Sequence, residues 1–325
     1  MKHVKIIGTG SAAPEKILSN TDLEEMMDTS DEWITSRTGI KERRIADKNI
    51  ASSDLAYHAS VKALESANID ASELDGIIVG TITPDFLFPS TACILQSKLN
   101  APNILAFDLS AGCSGFLYAL HVGYGMISGG SAKKLLIVGA EVLSRVVDYE
   151  DRSTCILFGD GAGAVVISDS DEPGILSSIM NSDGKDWKLL YQPGGGSRIP
   201  ATEESIKNKE HFLKMEGKDV FKVAVKSMET ATVNVVKDAN LNPSDIDLLI
   251  PHQANYRIIE AIRKRLDMPE EKVFCNLDKY GNTSSASVPI ALDEAINTGR
   301  AKKGDTVLFA AFGAGFTWGA SIVKL

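Results

Sequence analysis

The sequence predicts an α/β protein built from two duplicated halves, each a largely parallel sheet covered by helices. Three observations carry this: strand-like and helical segments alternate, the second half repeats the first at a near-constant offset, and one helix has no polar face. "ASSDLAYHASVKALESANI" (51–69) has apolar residues at helical spacing, and "LDGIIVGTI" (74–82) follows as a buried strand. "NILAFDLS" (103–110) reads as a strand, the segment after Cys113 as a helix, and "KKLLIVGAEVL" (133–143) as another strand. Such alternation implies parallel strands with helical crossovers.

The second half repeats this order. "IDASELDGIIVG" (69–80) resembles "LNPSDIDLLIPH" (241–252), which sets Asp75 opposite Asp247, 172 residues on. "AKKLLIVGAEV" resembles "KKGDTVLFAAF", and Leu136 meets Leu308 at the same offset of 172. Gly112 meets Gly281 at 169, so Cys113 falls opposite Asn282. The expected halves are residues 1–170 and 171–325. The expected helix from Ser114 to about Ile127 carries Phe116, Leu117, Tyr118, Leu120, Val122 and Met126 around its circumference. An all-round apolar helix is a buried one, here in a central layer between two sheets.

The 325 residues are 44% hydrophobic and 24% charged, ordinary for a globular chain. A net charge of −9 argues against a nucleic-acid binder, which needs a basic surface to neutralise phosphate. The four cysteines, Cys93, Cys113, Cys155 and Cys275, share no metal-ligand or redox spacing, so no metal is expected. Their wide separation fits a reducing compartment. "MKHVKIIGTG" runs straight into a strand pattern without a signal-like apolar core, and no apolar run is long enough to span a membrane. A cytoplasmic location is expected.

Cys113 stands at the first turn of the apolar helix, between Gly112 and Gly115. A helix N-terminus favours a thiolate, and its free N–H groups can hold an oxyanion. A buried inert cysteine is the bland alternative. His252 ends the strand in "LLIPHQANYRII", and Asn282 sits in "DKYGNTSSASVP", again between an expected strand and a helix. All three fall beyond the carboxyl ends of strands, where α/β sheets place their sites. A capping histidine and a turn asparagine remain open for the latter two.

"GCSGF", "PHQANYRII", "YGNTSSASVPIAL" and "FGAGFTWG", with "TSDEWITSRTGIKERRIA" and "DRSTCILFGDGAGAVV", strongly resemble β-ketoacyl-acyl-carrier-protein synthase III. This condensing-enzyme family begins type II fatty-acid synthesis, and the resemblance covers essentially the whole chain. It implies the thiolase fold, a five-layered αβαβα sandwich of two similar halves, and a homodimer. It implies acyl-CoA and malonyl-acyl carrier protein as substrates, with no separate cofactor.

By the same resemblance, Cys113 takes the acyl group, and His252 and Asn282 stabilise the enolate formed when the malonyl thioester loses CO₂. The N–H of Cys113 and backbone at Ala314 would hold the oxyanion; the family usually has three glycines there, and Ala314 is a departure. Trp33 resembles the residue that stacks on adenine, with Arg152 on its other face. Arg37 would meet a CoA phosphate with Thr29 nearby, and Asn255 and Gly217 would contact pantetheine. Lys222, Arg257 and Lys264 resemble the docking patch for the acidic carrier protein; Arg257 and Lys264, seven apart, share a helix face. Phe88 resembles the residue that crosses the dimer interface to limit chain length, with Leu143, Phe158 and Phe312 lining the rest of a pocket for a short primer.

Other readings stand beside these. The order Cys, His, Asn with 139 residues between the first two suits a papain-like peptidase, but that family's local cysteine signature is absent. A condensing or acyl-transferring enzyme of secondary metabolism, or a non-catalytic binder of CoA or carrier protein, also fits parts of the pattern. "GDGAGA" (159–164) precedes an expected strand instead of following one, so it is no dinucleotide loop. The glycines 194–196 are expected in a surface loop, and the Asn282 sequon is not expected to carry a glycan.

Overall fold

A computed structural model describes residues 2–325. Its main strands are β1 (His3–Ala12), β2 (Gly76–Gly80), β3 (Leu105–Leu109), β4 (Lys134–Glu141), β5 (Gly161–Ser170), β6 (Ile175–Ser182), β7 (Leu248–Pro251), β8 (Thr306–Gly313) and β9 (Thr317–Lys324). The main helices are α1 (Asp31–Thr38), α2 (Ser52–Ala67), α3 (Thr91–Lys98), α4 (Gly115–Ser128), α5 (Gly217–Asp238), α6 (Tyr256–Arg265) and α7 (Ser287–Asn297). One sheet runs β1-β5-β4-β2-β3 and the other β7-β8-β9-β6. The first draws all its strands from residues 3–170 and the second from residues 175–324.

The two sheets repeat one another at the level of register. Gly76 pairs with Leu135 in the parallel β2–β4 ladder, and Leu248 with Val307 in β7–β8; both residues have moved by 172. Side-chain direction repeats too, as the period of two along a strand requires. Ile78 and Leu135, with Ile250 and Val307, face the layer between the sheets. Ile77 and Leu136 face outward toward α2 and α3, and Leu249 and Leu308 face outward toward α5 and α6. The counterpart of β3 has shrunk to one bridge, Leu249 to Val273.

Helices α4 and α7 fill the central layer. Phe116, Leu117, Leu120 and Ile127 meet Val288, Ala291, Leu292 and Ala295 there. Each such fully buried leucine, isoleucine or phenylalanine contributes about 1.5–3 kcal/mol. Layers therefore run α2/α3, sheet, α4/α7, sheet, α5/α6: the five-layered thiolase-like sandwich. Tyr118, Val122 and Met126 are only half-buried, so α4 has a less occluded side that the all-apolar pattern did not mark. His121 lies on that helix and meets the Ser178 hydroxyl at 3.0 Å.

Two expectations are corrected. The glycines of "GDGAGA" do not precede a strand; Gly161 opens β5 itself. The reason is close packing, since a Cβ on Gly163 would run into the backbone of Pro289 and Ile290 in α7. The strand expected just before Asn282 is a short helix, Leu277–Tyr280.

Candidate active site

Cys113 follows β3 and His252 follows β7, so both stand past the ends that those strands point to, while Asn282 lies between the short helix Leu277–Tyr280 and α7. They line one cavity of about 110 Å³ with Phe158, Phe312 and Gly313. Cys113 is 8% exposed, His252 3% and Asn282 6%, so any reacting group there is nearly dry. Gly112 and Gly281, the residues before Cys113 and Asn282, both have positive φ, at 56° and 62°. Only glycine takes this conformation cheaply, and it turns the chain sharply into the site, from β3 at Gly112 and from the short helix at Gly281.

Each polar side chain is oriented by a second group. The His252 N–H donates to the Ala310 carbonyl at 2.7 Å, and its Nδ1 lies 2.6 Å from the Ser287 hydroxyl. Burial drives its pKa down to about 3, so the imidazole is neutral at physiological pH. Asn282 Oδ1 accepts the Ser284 N–H at 2.8 Å, which leaves the amide NH₂ for another partner. Its backbone is clamped by Leu157 and Gly159, with hydrogen bonds of 2.8 and 3.0 Å. Burial pushes the Cys113 thiol up to about 12, the Ser284 hydroxyl pulls the other way, and the Glu141 carboxylate adds to the rise.

The backbone of Gly313 and Ala314 packs directly on Gly112 and the Cys113 N–H. Positive φ falls on Gly315, at 136°, and not on Ala314. A methyl at 314 is therefore compatible with the loop, which explains how the departure from three glycines is accommodated.

A second cavity, of about 170 Å³, also reaches Cys113 and is lined by Ile82, Leu143, Val146, Phe158, Leu213 and Ala314, among others. Phe312 is not on it; it lies on the His252 side and stacks on Phe316 at 4.8 Å. Phe88 lines neither cavity of this chain and is 86% exposed, beside Phe86 and Leu87.

The entrance residues cluster as well. The guanidinium carbons of Arg37 and Arg152 lie 4.4 and 4.7 Å from the Trp33 ring centroid. Thr29 keeps a buried hydroxyl without a hydrogen-bond partner among the described residues. Asn255 caps α6 by accepting the Arg257 N–H, donates to the Arg37 carbonyl at 3.1 Å, and lines the His252-side cavity together with Gly217. Lys222, Arg257 and Lys264 are exposed. Lys222 pairs with Asp219 and Lys264 with Glu260, while Arg257 donates to the Ser36 carbonyl. Ile258, Ile259, Ile262 and Leu266 bury the other side of α6.

Sequence reasoning missed the groups that hold the site from behind: Ser287, Ser284 and Glu141. The hydroxyl run "NTSSAS" and an acid at the end of an otherwise apolar strand were their signals.

Residues 107–184 match the family described as 3-oxoacyl-[acyl-carrier-protein (ACP)] synthase III, and residues 236–325 match its C-terminal region. The chain is 58% identical over 320 residues to beta-ketoacyl-[acyl-carrier-protein] synthase III of Caldanaerobacter subterraneus subsp. tengcongensis, covering 98% of this chain and 97% of the relative. It is 51% identical to the enzyme of the same name from Clostridioides difficile, with 98% and 97% covered. Among solved structures, 3-oxoacyl-[acyl-carrier-protein] synthase III from Aquifex aeolicus VF5 superposes with a TM-score of 0.92 at 49% identity, covering 99% of this chain and 100% of that one.

Proposed function

The chain belongs to the 3-oxoacyl-[acyl-carrier-protein] synthase III family and is a condensing acyltransferase, and from that premise we propose its substrates, the roles of its residues and its assembly. A short acyl-CoA is the first substrate and malonyl-acyl carrier protein the second. The observation that carries the residue roles is the convergence of Cys113, His252 and Asn282 on one buried cavity.

Cys113 sulfur attacks the acyl-CoA carbonyl carbon, and CoA leaves with the thioester electron pair. This covalent capture divides a hard reaction into two easier ones. The malonyl thioester then loses CO₂, and the electron pair left behind spreads onto the thioester oxygen. His252 and Asn282 donate to that oxygen. With the Ser287 hydroxyl as donor to His252 Nδ1, 2.6 Å away, the imidazole proton stands on Nε2; the Ser284 N–H occupies Asn282 Oδ1 and leaves its NH₂ free. Two neutral donors suit a developing anion in a dry site, each worth about 2.7–4 kcal/mol. The enolate carbon attacks the acyl carbonyl, the C–S bond to Cys113 breaks, and β-ketoacyl-carrier protein departs.

CoA enters over Trp33, with the adenine taken up between this ring and Arg152 and with Arg37 on a phosphate. The unpartnered Thr29 hydroxyl supports a ligand at this mouth. Lys222, Arg257 and Lys264 form the surface for the acidic carrier protein. The acyl chain occupies the cavity with Leu143, Phe158 and Ile82. A second copy covers the exposed Phe86, Leu87 and Phe88 and brings its Phe88 to the end of that cavity. The widely spaced cysteines support a cytoplasmic location.

Release of CO₂ from malonyl-carrier protein, dependent on acyl-CoA, tests this scheme. Malonyl-carrier protein is expected to outperform malonyl-CoA as donor. A preference for malonyl-CoA would move the chain toward a condensing enzyme of secondary metabolism.

A further inference from the structure

Glu141 ends β4 and has no exposed surface. Among the described residues, only neutral groups meet its carboxylate. Oε2 accepts from the Thr83 hydroxyl at 2.6 Å, the Thr83 N–H at 3.1 Å and the Ile82 N–H at 3.2 Å. Oε1 faces the hydroxyls of Ser285 at 2.7 Å and Ser284 at 3.1 Å. A buried carboxylate without a cation beside it is costly to keep charged, and burial raises its pKa.

Ser284 is the link to the reacting sulfur. Its hydroxyl donates to Glu141 and lines, together with Cys113, the second cavity, where it favours the thiolate. Its φ of 50° is uncommon for a residue with a side chain, and the Asn282 amide holds it there. A hydroxyl has one proton, so two arrangements exist. In one, the thiol donates to Ser284 and Ser284 donates to a charged Glu141. In the other, a protonated Glu141 donates to Ser284 and Ser284 donates to a Cys113 thiolate. Both hold a single negative charge, and they differ by two short proton shifts.

We propose that Glu141 receives the Cys113 thiol proton through the Ser284 hydroxyl when the acyl group is loaded. The S–H proton passes to Ser284 Oγ as the Ser284 proton passes to Glu141 Oε1. The thiolate attacks the acyl carbonyl, the carbon–sulfur bond to CoA breaks, and the proton returns by the same hydroxyl so that CoA leaves as a thiol. The step rests on Cys113 being the nucleophile. Other ionisable groups at this end of the sheets are engaged elsewhere. Asp85 accepts from Ser53, Asp108 from the N–H groups of Thr91 and Ala92, and Asp160 from Ala46 and Ser144; Arg145 donates to the Asp47 carbonyl, and His252 meets Ser287.

The test is the single-turnover rate of acyl loading from acetyl-CoA, read by intact mass between roughly pH 6 and 9, in wild type, Glu141→Gln, Ser284→Ala and Cys113→Ala. An internal transfer leaves the wild-type rate nearly level through neutral pH. Each relay variant must give its thiol proton to solvent, so its rate should climb about tenfold per pH unit and lie at least about tenfold below wild type at the acid end. Should Glu141→Gln not fold, Ser284→Ala decides alone. Variants that keep the level profile, whether at wild-type rate or uniformly slower, overturn the proton role. Loading of Cys113→Ala would instead overturn the nucleophile itself.

Discussion

Cys113 and Asn282 occupy the same place in the two halves of the fold, each one residue after a glycine held at positive φ. One copy of the motif delivers a nucleophile to the cavity and the other an amide donor. Gly281 is held there by both conformation and space, since an added Cβ would sit 2.8 Å from the Leu157 carbonyl oxygen. Gly281→Ala should therefore cost about 1–3 kcal/mol from the backbone alone, with further loss from the contact. Denaturant unfolding checks this, and an unchanged midpoint would contradict the constraint.

Asn282→Ala should keep acyl loading from acyl-CoA while slowing condensation by about 10²–10³. Separate assays of loading by mass and of CO₂ release distinguish the two steps. Undiminished CO₂ release would remove the amide from the second step.

His252 carries a sign for stability against pH. Its folded-state pKa is lowered by burial to about 3, below the unfolded value of 6.5. The contribution is present above 6.5 and is lost as pH falls toward the folded value, because the unfolded chain binds the extra proton. At pH 5 the loss is about 2 kcal/mol relative to neutral pH. His252→Gln should lose less stability than wild type over that interval. Parallel unfolding curves for the two proteins would show that the imidazole is not held neutral.

Much of this is legible in the amino-acid sequence. Repeated strands with one offset betrayed the duplication because a buried strand needs its alternate residues on fixed sides, as Ile77 and Ile78 do. Cys113 and His252 stood out because strands end at them, and Cys113 and Asn282 because each follows a glycine that lets the backbone approach a ligand. What stayed hidden depends on distant pairing. Glu141 and Ser284 are 143 residues apart and meet only when the halves pack. Phe312 was expected beside Leu143, yet β8 carries it to the His252 side. Phe88 lies on the surface of its own chain, so its place in an acyl pocket depends on a second copy.

Arg257→Glu should raise KM for malonyl-carrier protein about tenfold, with the defect shrinking at high salt. Arg257 also touches the Ser36 carbonyl at 3.1 Å, which makes a control necessary. A small malonyl thioester should be used almost normally. An equal loss with that surrogate would assign Arg257 to holding α1 against α6.

Acyl loading weighed on the intact chain reads the nucleophile itself. Wild type mixed with a set of short acyl-CoAs should gain the mass of one acyl group, lose it on adding malonyl-carrier protein, and release CO₂ in equal amount. Cys113→Ala should gain nothing. A stable acyl adduct on the Cys113→Ala chain, discharged by malonyl-carrier protein as in wild type, would place the nucleophile elsewhere.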